Sequence, residues 1–412
     1  MSWGGNGGGS WNQGGGSAAP VVRNPFAAAP AAAVGPAGGV LVGGPVRGLP
    51  DEAATGPTLG YGSELQRVYN MPVNMGHNGC VSCMVMADGK VYSGGRDENL
   101  FVWQAQGSAG AGFQLIQDCA PIHLGSSVTA LLYEPSSKWL FCGLWSGEIR
   151  AFCKDPVRED RLQGHRRSVA CLLVHSSVVI SGSNDGTVRL WTFDPAAGRF
   201  QCHGQPLNNP SGPVNCMRVL GEALWVGGNT GITCFDLASL QPKGTLPAEH
   251  PVTGLIECSG YMAATFRDGS VKIYDPAGSP IFQRPPMGEH TSNTAVELMM
   301  HPLTNKAMLL CGQQLGYVTA YDLPEFKPRG SFCCKDRSDI KVILDTKNAG
   351  MFLTAGFHGD IMVWQWGAPG PGGVAGGQAG APVAASPFAP AGQGVAASPF
   401  GGAAQQVGGM MM

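Results

Sequence analysis

Charge is scarce in this chain. Only 26 Lys and Arg and 28 Asp and Glu stand among 412 residues, a net charge of −2. So small an imbalance excludes bulk electrostatic attraction to nucleic acid or to an anionic membrane, and leaves only local basic patches to consider. No secretory leader is expected either: the first 22 residues have neither a basic start nor a continuous apolar run. The uncharged stretch Asn24–Val46 is built of Ala, Gly and Pro, interrupted by Pro25, Pro30, Pro36 and Pro45, so no membrane helix is expected there. An even cysteine framework is also missing. The 13 Cys are scattered through apolar strand-like runs, as at Cys142, Cys171, Cys216 and Cys311. Reduced, buried thiols in an intracellular protein are expected, cytoplasmic or nuclear. No P-loop, H-E-x-x-H, G-x-S-x-G or plausible pair of carboxylates occurs, so neither catalysis nor a cofactor is expected.

Glycine is abundant but uneven. Residues 1–62 hold 17 Gly and residues 367–412 hold 13, whereas the 304 residues between them hold 33 of the 63. This contrast predicts a globular middle, 63–366, between two low-complexity tails, 1–62 and 367–412, that cannot bury a core and stay disordered. The C-terminal tail repeats Val-Ala-Ala-Ser-Pro-Phe at 383–388 and 395–400. Short aromatic motifs of this kind could serve as bait for peptide-binding domains, and Ser386 and Ser398, each before Pro, as phosphorylation sites.

The middle is a repeat. Residues 76–103 read GHNGCVSCMVMADGKVYSGGRDENLFVW and residues 164–191 read GHRRSVACLLVHSSVVISGSNDGTVRLW. His77, Ser93, Asp97 and Trp103 in the first recur at the same spacing as His165, Ser181, Asp185 and Trp191 in the second. Degenerate copies end at Phe152, Phe235, Tyr274, Tyr321 and Trp364, a mean step of about 43 residues, which suits a four-stranded blade. Each copy alternates short β-branched or aromatic runs with Gly/Asn/Asp turns such as Asn184-Asp185-Gly186. A single blade cannot bury both faces, but a ring of blades can.

These residues resemble the WD40 repeat, which implies an all-β, seven-bladed β-propeller acting as a monomeric domain. The resemblance also implies that each His/Ser/Asp/Trp set is a buried hydrogen-bonded chain pinning the loops, and not a hydrolytic triad. No strand follows Trp364 in the run QWGAPGPGG, so the alternating segment 64–69 is expected to complete the last blade from the N-terminal side.

A narrower resemblance lies in MLLCGQQLGYVTAYDLPEFKPRG (308–330) and MFLTAGFHGDIMVWQW (351–366). The phrases LLC, YDLPEF and VWQW are similar to the WD-repeat region of the plant-type family that joins CCCH zinc fingers to a propeller. No Cys run here has the finger's spacing. Cys80-Val-Ser-Cys83 is a lone C-x-x-C, expected to pack in the core, and Cys202-His203 and Cys333-Cys334 lack partners, so no metal site is expected.

In proteins that resemble this one, the residue before the repeat Asp projects from the narrow face of the ring. Counting back from each blade end gives Arg96, Trp145, Asn184, Asn229, Arg267, Gln314 and Phe357, with Arg166 and Arg167 beside Asn184. The set has no acid and is rich in Arg and aromatics, types enriched at interface hot spots. The expected function is a non-enzymatic scaffold that assembles macromolecular complexes through this rim. Its partners would be other proteins or peptides, acidic or phosphorylated ones fitting best. The alternative is an RNA-associated factor using the same basic and aromatic rim.

Overall fold

The computed structural model describes residues 65–366 apart from 72–74, 107–113, 155, 287–291, 335–337 and 349, so both tails lie outside it. Seven antiparallel sheets follow one another along the chain. In the first, Val81–Ala87, Lys90–Gly95 and Asn99–Gln106 run from the inside outward. Its outer edge is split: Gln114–Gln117 covers the far half of the third strand, and Ile122–His123 covers Asn99 and Leu100. Blades 2 to 6 each lay four consecutive strands side by side. The inner strands touch in cyclic order, and that of blade 7, Ile340–Asn348, returns to that of blade 1. The ring is therefore closed.

Blade 7 is composite. Its first three strands are Ile340–Asn348, Met351–Gly356 and Ile361–Trp366, and its fourth is Leu65–Asn70, from the other end of the described chain. Leu65 stands opposite Trp366 and Asn70 opposite Met362. Met71 then tucks in, 2% exposed, its N–H donating to the Ile361 carbonyl at 3.1 Å. This pairing covers what would otherwise be an open edge.

The apolar core is divided into seven clusters among the described residues, one at each blade junction. Trp103 and Phe101 of blade 1 meet Leu353 and Val363 of blade 7, and Leu100 and Val102 meet Leu140 and Phe152 of blade 2. The series runs on round the ring. Because both faces of every sheet are covered, second strands such as Trp139–Leu144, Ala223–Gly227 and Met351–Gly356 are buried along their whole length. That accounts for their nearly unbroken apolar sequences.

Close packing needs small residues. Near the end of the second strand of five blades stands Gly94, Gly143, Gly182, Gly227 or Gly312, each against the β-branched residue that opens the next blade. A Cβ on Gly143, for example, would lie 2.7 Å from Val169 Cγ1. Blade 5 has Thr265 at this place and moves the glycine to the paired position on its inner strand, Gly254. No helix among the described residues is long and apolar enough to cross a membrane.

Candidate functional site

Two of the blades carry a complete polar chain. In blade 1, Trp103 Nε1–H donates to Ser93 Oγ at 2.8 Å, Ser93 Oγ lies 2.8 Å from His77 Nε2, and His77 Nδ1 lies 2.9 Å from Asp97. In blade 3 the same chain links Trp191, Ser181, His165 and Asp185 at 2.8, 2.8 and 3.1 Å. One direction of donation satisfies every group: indole to hydroxyl, hydroxyl to Nε2, Nδ1–H to carboxylate. Each carboxylate also accepts from the backbone of the neighbouring loop, Asp97 from Asn78 N–H at 3.0 Å and Asp185 from Arg166 N–H at 2.8 Å. The result ties the loop between blades to the turn between the second and third strands. Both His and both Ser are buried, so the chain has no exposed nucleophile and serves as a frame. The other blades keep fragments of it. Trp364 Nε1–H donates to Thr354 Oγ1 at 2.9 Å, and Ser211 and Thr233 share a hydroxyl contact of 2.9 Å.

These frames have a pH signature. Burial depresses the His165 imidazole and outweighs the attraction of Asp185. Burial acts to raise Asp185, but the Thr187 hydroxyl, the Arg166 N–H and His165 together hold it down at about 2. Both groups sit below their unfolded values of 6.5 and 3.8, so both contribute stability at neutral pH that is lost on acidification. Urea midpoints are expected to fall as pH drops through about 6.5 and again between about 4 and 2. Asp185→Asn should shrink the lower loss and, by removing the carboxylate that partly offsets the burial of His165, enlarge the upper one; an unchanged lower window would refute the assignment.

Above the frames lies the rim. The backbone N–H groups of Arg96, Trp145, Asn184, Asn229, Arg267 and Gln314 donate to Cys80, Ser127, Ser168, Ser211, Pro251 and Ser292 carbonyls respectively, at 2.8 to 3.3 Å. Each acceptor precedes the inner strand of the same blade, so the six are structurally equivalent positions. Phe357 occupies the corresponding turn of blade 7. Trp145 is 63% exposed and Phe357 50%, and Arg96, Arg166, Arg167, Asn229, Arg267 and Gln314 are exposed as well.

Asn184 departs from the expected projection. It is only half-buried, but its amide donates to Ser168 Oγ at 2.6 Å, so the side chain is occupied within its own blade. Two neighbours are in contact: the Arg96 guanidinium carbon lies 5.9 Å from the Phe357 ring centre, across the junction of blades 7 and 1. Counting along the repeats misses two further members. Met75, 50% exposed, precedes the His77 loop, and Leu315, 42% exposed, sits in a 3₁₀ turn at Gln314–Gly316 with φ of +59°. Their signal in the sequence is a large apolar residue inside a turn, which is weak on its own. Trp145, Phe357, Met75 and Leu315 thus place four large apolar side chains on one end of the ring.

All 13 cysteines are free thiols. Cys80 and Cys83 are both buried, and burial pushes each thiol up, away from the thiolate a metal or redox site needs. Among the described residues, no group of three or more His, Cys, Asp or Glu could hold a metal ion.

The family model "WD domain, G-beta repeat" matches residues 156–192. Zinc finger CCCH domain-containing protein 17 of Oryza sativa subsp. japonica is 25% identical over 299 residues, covering 71% of this chain and 64% of that protein. Zinc finger CCCH domain-containing protein 59 of Arabidopsis thaliana is 23% identical over 295 residues, 70% of this chain and 59% of that one. The chain thus spans less than two thirds of either relative's length. The crystal structure of the WD40 β-propeller domain of Doa1 superposes with a TM-score of 0.60 at 16% identity, over 73% of this chain and 96% of that domain. The chain is a seven-bladed β-propeller in which one stretch matches the WD-repeat model, and it is similar over its repeat region to these CCCH zinc finger proteins.

Proposed function

We propose that this propeller is a non-enzymatic scaffold that assembles other macromolecules, and that its rim is the binding surface. WD40 propellers are typically protein-interaction scaffolds. The observation that carries the reading to this rim is the company kept by Trp145 and Phe357. Both are exposed at equivalent turns of a closed ring, Arg96 stands in the blade between them and packs on Phe357, and no acid occupies the counted positions. Large apolar side chains gathered at one end of a molecule mark an interaction site. Aromatic and Arg side chains on a fixed frame bind with little loss of conformational freedom. The arginines favour an acidic or phosphorylated peptide, which they would hold by charge-assisted, bidentate hydrogen bonds. The free thiols favour an intracellular setting.

The test compares the protein with an Arg96→Ala/Trp145→Ala/Arg267→Ala/Phe357→Ala variant in cross-linking capture from cells, reading protein and RNA together. Protein partners should be lost in the variant while its melting temperature is unchanged, because all four side chains are exposed. For an isolated partner, Trp145→Ala alone is expected to weaken binding about 30-fold, the effect of a hot spot of ~2 kcal/mol. RNA recovered directly and lost in the variant would replace this reading with an RNA-associated one. Partners retained by the variant would remove the rim from consideration.

A further inference from the structure

On the end of the ring opposite the rim, a largely apolar groove opens on each side of blade 3. The first, about 350 Å³, opens between blades 2 and 3 and is walled by Trp139, Phe141, Phe193 and Phe200. The Phe200 ring stands edge-on to Trp139 and Phe141, at 5.1 Å from each. The second, about 400 Å³, opens between blades 3 and 4 and is walled by Val178, Ile180, Leu190, Leu237 and Leu240. Both reach the size of a small-ligand pocket. They are equivalent sites one blade apart. Val179 faces the first and its neighbours Val178 and Ile180 the second, as the two-residue alternation of a strand requires.

Both grooves lie at the turns that join inner to second strands. Ser136 and Ser177 line the first and Gly221 the second. The third strand of blade 7 runs from the rim turn at Phe357 toward this same end and finishes at Trp366. The chain beyond Trp366 therefore leaves the propeller on the face that holds the grooves. From Gly367 to Met412 it has no charged side chain and two aromatic residues, Phe388 and Phe400. Each ends one copy of Val-Ala-Ala-Ser-Pro-Phe.

We propose that the two Val-Ala-Ala-Ser-Pro-Phe segments, 383–388 and 395–400, dock into the two grooves of their own propeller. Each copy of the motif can fill one of these two equivalent grooves. The walls are mostly apolar, with Glu134 and Arg158 bordering the first groove and His175 and Glu222 the second; an uncharged segment suits the apolar part, and the Phe rings suit the edge-to-face arrangement already present around Phe200. Pro387 and Pro399 fix one backbone angle beside each Phe, which lowers the ordering cost of docking. Length permits it. Phe388 lies 22 residues beyond Trp366, a reach of up to about 75 Å, and the two Phe are 12 residues apart, a reach of up to about 40 Å. Two weak contacts on one tether reinforce each other, because docking the first raises the local concentration of the second. Docking of this kind would leave the rim free, so it does not depend on what the rim binds.

The test uses the full chain with Phe388→benzoylphenylalanine or Phe400→benzoylphenylalanine, mixed in isotopically light and heavy forms and irradiated. Adducts within one copy, on peptides spanning Ser137–Phe141, Ser177–Ile180, Phe193–Phe200 or Leu237–Leu240, are the expected result. Adducts joining light to heavy chains would overturn the proposal in favour of a second copy as the occupant. Adducts confined to the rim, or none above those of Gln405→benzoylphenylalanine, would overturn it outright. Hydrogen exchange supplies a second readout that cannot unfold the ring. Phe388→Ala/Phe400→Ala should speed exchange several-fold at 177–180 and 199–203 and leave Arg96–Asn99 unchanged. Equal exchange in both chains would also sink the idea.

Discussion

A chain lacking residues 65–71 is expected to lose cooperative folding, and a chain with the same segment moved to follow Trp366 to regain it. The segment is the outer strand of blade 7. Removing it uncovers the edge of Ile361–Trp366, exposing Trp366, which is fully buried, and leaving the Met71 pocket empty. Losing Met71 and the packing of Val68 and Tyr69 against blade 7 and blade 1 costs ~5 kcal/mol. That is comparable to the whole stability of an ordinary domain. An unpaired edge adds a route to aggregation. The relocation works because Leu65 lies opposite Trp366, so an Asn-Gly turn could join them as a hairpin. Thermal unfolding and size-exclusion profiles of the three chains decide the matter. If the deletion melts like the parent, the composite blade does not hold the ring shut.

The ring was legible because two of its signals are local. Asn184-Asp185-Gly186 fixes a turn by its own chemistry, and Trp103, Trp191 and Trp364 mark the third strand at a constant period. Counting from those marks reaches the same backbone position in six blades, even though only two carry the full His-Ser-Asp-Trp chain. What stayed hidden depends on neighbours distant in sequence. Asn184 reads as a free rim residue until Ser168 is seen to hold its amide. The exchange of glycine between Thr265 and Gly254 makes sense only against Val296 of the next blade. The split outer edge at Ile122–His123 is two residues long, too short for any periodicity. The grooves beside blade 3 are assembled from Trp139, Phe193 and Leu240, residues of three blades that no local pattern connects.

Substitution of a single glycine at the last junction is expected to damage the frame and the rim together. Gly359, in the rim turn of blade 7, has φ of +83°, and a Cβ there would overlap the His77 carbonyl oxygen and lie 2.8 Å from that of Gly79. Gly359→Ala thus meets two penalties at once. The left-handed backbone costs ~1 kcal/mol for a non-glycine residue. The overlap with main-chain atoms adds ~2 kcal/mol or more, because the loop is tied to Asp97 by the His77 ring and by the Asn78 N–H and cannot swing aside. Gly89 separates the two terms. Its φ is +74°, but nothing lies within 4 Å of its Cβ position, so Gly89→Ala should cost only the first. The two variants are therefore expected to differ by ~2 kcal/mol in unfolding free energy, seen as a clear gap between their urea midpoints. The functional consequence follows from position. Displacing His77 moves the loop that supports Asp97, and with it Arg96, which packs across the junction on Phe357. Gly359→Ala should therefore weaken rim binding under conditions where the protein is still folded, whereas Gly89→Ala should leave it intact. Equal stability of the two variants would mean that the junction yields more easily than its contacts imply, and equal binding would separate the frame from the surface it carries.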